Sequence, residues 1–102
     1  MARKIIWQDV AQHHFESIQQ YILLEWGESV TKKFTKRVFD FLEILEKYPF
    51  IGNVEYPEQG IRGFTISNQT RILYKVTEES IYLLAFYDLR QDSEKGIEGF
   101  QP

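Results

Sequence analysis

The chain has 102 residues, of which 43% are hydrophobic and 16% aromatic, enough for one packed core at the ordinary size of a single domain. Its formal charge of −3 argues against a protein that coats nucleic acid with a uniformly positive surface. Without cysteine there is no disulfide framework, thiolate nucleophile or zinc–thiolate site, and the cytoplasm is the expected compartment.

The basic start Met1-Ala2-Arg3-Lys4 is followed only by Ile5-Ile6-Trp7 before polar residues, short of a signal-peptide core. No apolar run approaches the ~20 residues that span a bilayer, so no membrane association is expected. Lys4-Ile5-Ile6-Trp7 itself reads as a short strand. Asp9, with Gln12 three residues on, has the spacing of a capping box and predicts a helix start. Ala11, Phe15, Ile18 and Ile22 then recur as one buried stripe with Tyr21 and Trp26 at its edges, and Gly27 is placed to end it. Ser29 caps a second helix whose stripe is Val30, Phe34, Val38, Phe41, Leu45 and Tyr48, ending before Pro49. A connection as short as Gly27-Glu28-Ser29 makes the two helices an antiparallel hairpin.

From Pro49 to Gly60 the prolines, glycines and Asn53 read as a connecting segment. Ile61 to Ile66 reads as a strand and Ser67-Asn68-Gln69 as a turn. Thr70–Val76 and Ile81–Gln91, split by Thr77-Glu78-Glu79-Ser80, read as an antiparallel hairpin and are the strongest strand signal in the chain. The order β-α-α-β-β-β predicts an α+β fold, a two-helix antiparallel hairpin packed on a small, mainly antiparallel sheet. Residues 1–92 are expected to form the single domain, and residues 93–102, with Gly96 and Gly99, a loose C-terminal tail.

His13 and His14 point about 100° apart on a helix and lack the spacing of a metal pair, which favours packing at the surface or core edge. No phosphate-cradling or hydrolase motif occurs, so neither metal nor cofactor is expected. Lys32, Lys33, Lys36 and Arg37 fan over one helix face, with Asp40 and Glu43 spaced to compensate Lys36 and Lys47, and a solvated face outweighs a nucleic-acid patch. Leu23, Leu24 and Phe39 fall off the buried stripes, where they are either ordinary surface or a partner-docking surface. Arg62, Arg71 and Arg90 lie in or beside strands, where the sheet could gather them on one face for a phosphate or an acidic protein surface. The equal alternative is that Asp88, Asp92 or Glu55 holds them in structural ion pairs.

The order of these elements resembles the RelE/ParE superfamily, the toxins of bacterial type II toxin–antitoxin, or plasmid stabilisation, systems. The resemblance rests on Ala11 and Ile18 to Trp26-Gly27, Phe34 to Leu45 with Tyr48-Pro49 and Gly52, Gly60-Ile61-Arg62, Arg71 to Tyr74, and Ile81 to Arg90-Gln91-Asp92. RelE-like members cleave messenger RNA in the ribosomal A site, and in that pattern Arg71 and Arg90 match the catalytic arginines. ParE-like members instead poison DNA gyrase by binding it. No lysine pair precedes Arg62 and no tyrosine or histidine follows Arg90, and general acid–base groups are worth ~10² to 10⁴ in rate. The resemblance therefore implies a ParE-like gyrase inhibitor rather than an endoribonuclease, with an inactive toxin-derived domain as a further alternative. It implies target binding through Arg62, Arg71, Arg90 and Gln91, and antitoxin binding through Leu23, Leu24 and Phe39. The implied partners are a cognate antitoxin and gyrase, or ribosome and mRNA on the RelE reading, with a homodimer or a heterotetramer with the antitoxin as the implied assembly.

Overall fold

Apolar residues spaced three and four apart build one helical run, α1 (Asp9–Lys47), between a short first strand β1 (Lys4–Trp7) and four later ones. These are β2 (Asn53–Tyr56), β3 (Ile61–Thr65), β4 (Thr70–Val76) and β5 (Ser80–Asp88), with a single 3₁₀ turn at Pro57–Gln59. The computed structural model describes residues 3–67 and 69–90. The expectations for Gln91 and for the tail at 93–102 lie outside them.

The expected pair of capped helices is replaced by one helical run with a single non-helical residue, Gly27, at φ 88° and ψ −178°. That backbone is strained for any residue with a Cβ, so glycine concentrates the break in one position and no loop is required. The chain folds back there. Gln19 Nε2 donates to Thr35 Oγ1 at 2.9 Å, whereas sixteen residues of straight helix would hold them ~24 Å apart. The capping box does not form either. Gln8 occupies the N-cap position without a side-chain hydrogen bond, Asp9 is the first helical residue, and the Gln12 amide donates to Glu16 instead.

The sheet runs β1-β5-β4-β3-β2, with β1 parallel to β5 and every other pair antiparallel. Strand β2, absent from the sequence reading, is a correction to the segment taken as connection. Asn53-Val54-Glu55-Tyr56 does alternate polar and apolar residues, but the run is only four residues long, is exposed throughout and lies among Pro49, Gly52, Pro57 and Gly60, whose loop chemistry dominates. It also carries a bulge between Val54 and Tyr56, leaving Glu55 without a partner in register.

A second bulge shapes the core. Leu73 pairs with Ala85 and Tyr74 with Leu83, which leaves Leu84 as the extra residue of β5. Leu83 and Phe86 are three apart and would otherwise face opposite sides; the bulge lets both join the core under α1. That core unites Ala11, Phe15, Ile18, Ile22, Phe34, Val38, Phe41 and Leu45 from the helical run with Ile72, Tyr74, Ile81, Leu83 and Phe86 from the sheet. Phe41 stacks on Phe64 at 4.6 Å between ring centroids, and Phe15 meets Phe86 at 5.6 Å. The opposite sheet face holds a smaller cluster of Ile61, Leu73 and Ala85, edged by Leu84 and Tyr87. His14 is buried, and its Nδ1 accepts the backbone N–H of Phe86 at 3.3 Å. This satisfies a donor on β5 beyond the last residue paired with β1, and it places His14 at the core edge.

Candidate functional site

Strand register decides where the three strand arginines go, and it separates them. Arg71 pairs across β4 and β5 with Tyr87 and across β3 with Thr65, on the face away from α1. Its Nη1 donates to Thr65 Oγ1 at 2.7 Å, and its Nη2 forms an ion pair with Glu55. The β2 bulge aims Glu55 at this arginine, and Gly63 leaves the space between them. A Cβ on Gly63 would lie 2.6 Å from Glu55 Oε1 and 2.7 Å from Arg71 Nη2.

Arg62 lies opposite Tyr74 in register, beside the loop that follows α1. Its Nη1 donates to the carbonyl oxygens of Gly52 at 2.7 Å and Phe50 at 3.3 Å, and its guanidinium sits 5.1 Å from the centre of the Phe50 ring. The Gly52 N–H in turn donates to the hydroxyl of buried Tyr74 at 2.8 Å. Burial raises the Tyr74 phenol above its ordinary range, partly offset by that hydrogen bond and by the charge of Arg62. These contacts tie the loop after α1 to the sheet.

Arg90 lies past the other end, two residues beyond Asp88, the partner of Thr70. Tyr74 lies four residue steps along β4 from Thr70, which puts about 13 Å of strand between the regions of Arg90 and Arg62. Arg90 grips Asp88 with two parallel bonds, Nε to Oδ1 and Nη2 to Oδ2, each 2.7 Å, while Thr70 Oγ1 donates to Oδ2 at 2.6 Å. Burial pushes the Asp88 carboxyl up, but the bonds from Arg90 and Thr70 together outweigh it and hold the group below the usual carboxylate range. The Arg90 guanidinium is raised in return by its bonds to Asp88.

The expectation that Arg62, Arg71 and Arg90 converge on one patch is therefore corrected. Side chains of alternate residues point to opposite faces, and no sequence spacing fixed which register the strands would adopt. Two of the arginines make the structural pairs posed as the alternative, Arg71 with Glu55 and Arg90 with Asp88. Among the described residues no group of His, Cys, Asp or Glu is arranged to hold a metal.

Leu23, Leu24 and Phe39 are exposed on the helical run by 40, 79 and 47%, respectively. Phe39 is anchored from beneath, its ring 6.1 Å from Trp7 and 6.0 Å from Phe15. Leu23 borders a shallow depression with Thr31, Thr35 and Lys36, and Lys36 pairs with Asp40 at 2.7 Å. The sequence reading missed what lies on the inner flank of the same helix. Lys33 and Arg37 line a pocket of about 200 Å³ together with Arg90. The available signal was the like-charge spacing of four between Lys33 and Arg37, with no acid four residues from either and Asp40, three after Arg37, engaged by Lys36.

Residues 5–93 match the family described as the ParE toxin of the type II toxin–antitoxin system parDE. The chain belongs to the ParE toxin family. It is the toxin component of a type II toxin–antitoxin system within the RelE/ParE superfamily, as the sequence resemblance implied. Two solved structures carry the same fold. One, described as the chromosomal ParDE toxin–antitoxin system from P. aeruginosa, superposes with a TM-score of 0.67 at 16% identity, covering 80% of this chain and 90% of its own. The other, a YoeB/ParE toxin from Agrobacterium tumefaciens, gives 0.56 at 15% identity, covering 78% and 91%. No curated protein sequence matches. No helix among the described residues of this ParE-family toxin is long and apolar enough to cross a membrane.

Proposed function

We propose that this toxin acts in the cytoplasm by binding its target rather than by cutting RNA, that the target is DNA gyrase, and that a cognate antitoxin neutralises it. The observation that carries this reading is the separation of Arg71 and Arg90 onto different regions of the fold, each already bound to a carboxylate. One scissile phosphate cannot be held by both without breaking an existing pair and turning a side chain through the sheet. A ribosome-dependent nuclease needs such groups gathered, with a proton donor and acceptor within hydrogen-bond reach of the reacting atoms.

Of the four residues expected to contact the target, Arg90 keeps that role because it lines an open pocket. Arg62 and Arg71 are assigned to holding the loop after α1 and the β2 edge. The two halves of α1, taken as an antiparallel hairpin, offer Leu23, Leu24 and Phe39 to the antitoxin. Exposed large apolar side chains on a small toxin are suited to cover by a segment that folds as it binds. A supercoiling assay with purified gyrase, run beside a ribosome-programmed mRNA cleavage assay, tests this. Inhibition without cleavage is the expected result, and cleavage lost on Arg90→Ala would establish the nuclease instead.

A further inference from the structure

Lys33 and Arg37 stand one turn apart on α1, a spacing at which like charges repel, and neither has an acidic partner among the described residues. Both line the pocket between the helical run and the β3–β4 turn, and Arg90 approaches the same pocket from the end of β5. Asp88 engages Nε and Nη2 of Arg90, leaving Nη1 without a partner among the described residues. Among the described residues, three cations thus face one cavity against the carboxylate of Asp88, a local excess of positive charge in a chain whose overall charge is −3. The remaining wall is mixed: Val30, Phe34, Val38 and Ile66 make an apolar side and Ser67, Gln69 and Thr70 a polar one, and the Arg90 guanidinium lies 5.8 Å from the centre of the Phe34 ring.

We propose that this pocket recognises an acidic side chain set beside a large apolar one on a protein partner, a Glu or Asp next to Leu or Phe. The cations would take the carboxylate by charge-assisted hydrogen bonds, and the side built by Val30, Phe34, Val38 and Ile66 would take the neighbouring apolar side chain. The combination selects against nucleic acid, whose single strands need a groove of cations that tracks successive phosphates and aromatic faces on which bases stack. At about 200 Å³ the cavity holds one or two side chains and no such track. The inference deepens the reading of the chain as a toxin held by a protein partner, but its test does not need that partner.

The full chain, labelled at its methyl groups, is titrated with the peptide Ac-Leu-Glu-Phe-Glu-NH₂ and with its Gln counterpart, following Val30, Val38 and Ile66 by NMR. The acidic peptide should shift these methyls saturably, and the Gln peptide should bind at least tenfold more weakly. The double variant Lys33→Glu/Arg37→Glu should lose tenfold or more while its spectrum otherwise overlays the parent. Lys47→Glu, at the far end of α1, should change nothing. Equal affinity for the two peptides, or shifts centred away from these methyls, would overturn the proposal. So would contacts showing the cavity filled by Asp92, Glu94 or Glu98 of the same chain, or a ten-residue oligouridylate binding there more tightly than the peptide. Gyrase inhibition and antitoxin neutralisation are read in separate assays, so either can fail without the other.

Discussion

Asp88 is 1% exposed and accepts bonds from Thr70, from the Arg90 backbone and twice from the Arg90 guanidinium, so Asp88→Asn tests the end of β5 directly. The substitution keeps the shape and removes the charge. Breaking a buried ion pair by removing one partner costs about 3–5 kcal/mol. The Arg90 side chain retains 15% exposure and regains some solvation, so about 2–4 kcal/mol is expected here. That is a large fraction of the roughly 5–15 kcal/mol of a domain this size, and at about 4–8 °C per kcal/mol the thermal midpoint should fall by about 8 °C or more. Urea unfolding followed by the fluorescence of Trp7 and Trp26 measures it.

The pH dependence adds a second reading of the same group. The folded-state value of Asp88 is lowered, so its contribution is complete above the ordinary carboxylate range near pH ~4 and is lost as pH falls through the lower folded value. Asp88→Asn should therefore flatten the acid limb of the stability profile as well as lower its plateau. Adding Arg90→Gln should cost less than in the parent, because no unpaired guanidinium remains. A variant within 0.5 kcal/mol of the parent, with an unchanged acid limb, would refute the reasoning.

Gly52→Ala should destabilise by about 2–4 kcal/mol in the same unfolding assay, because its Cβ would lie 2.7 Å from both the Gly63 carbonyl and the buried Tyr74 hydroxyl. Gly63→Ala should cost less than Gly52→Ala, since the atoms it meets belong to the movable side chains of Glu55 and Arg71. Gly27→Ala meets no neighbouring atom but should lose about 1–3 kcal/mol, because φ 88° with ψ −178° is a backbone region essentially confined to glycine, again by urea unfolding. Leu24→Ser should leave the unfolding midpoint within 0.5 kcal/mol and weaken antitoxin binding at least fivefold by calorimetry, the signature of a contact residue.

The helical stripes were legible because burial imposes a period on the sequence: Ala11, Phe15, Ile18, Ile22, Phe34, Val38, Phe41 and Leu45 all lie in the core. Tyr48 is the exception, an exposed C-cap whose N–H bonds the Ile44 carbonyl. The strands β3, β4 and β5 were legible for the same reason. Strand β2 was not, because its polar–apolar alternation spans only four exposed residues among prolines and glycines, and its bulge breaks the register further. The destination of each arginine was illegible for a different reason. Arg71 and Arg90 differ by nineteen positions, but their separation depends on the Leu84 bulge and on the pairing of Thr70 with Asp88, which only the assembled sheet determines. The carboxylates that bind them, Glu55 and Asp88, were nevertheless among the three named from sequence as candidate partners.

Direct binding of the purified toxin to gyrase, measured by surface-immobilised association with and without the antitoxin, tests the account most directly. The account predicts a stable complex that the antitoxin prevents, with Arg71→Ala binding as the parent does and Arg90→Ala at least tenfold weaker. A toxin that fails to bind gyrase yet cleaves ribosome-bound mRNA, with both arginines required, would contradict it.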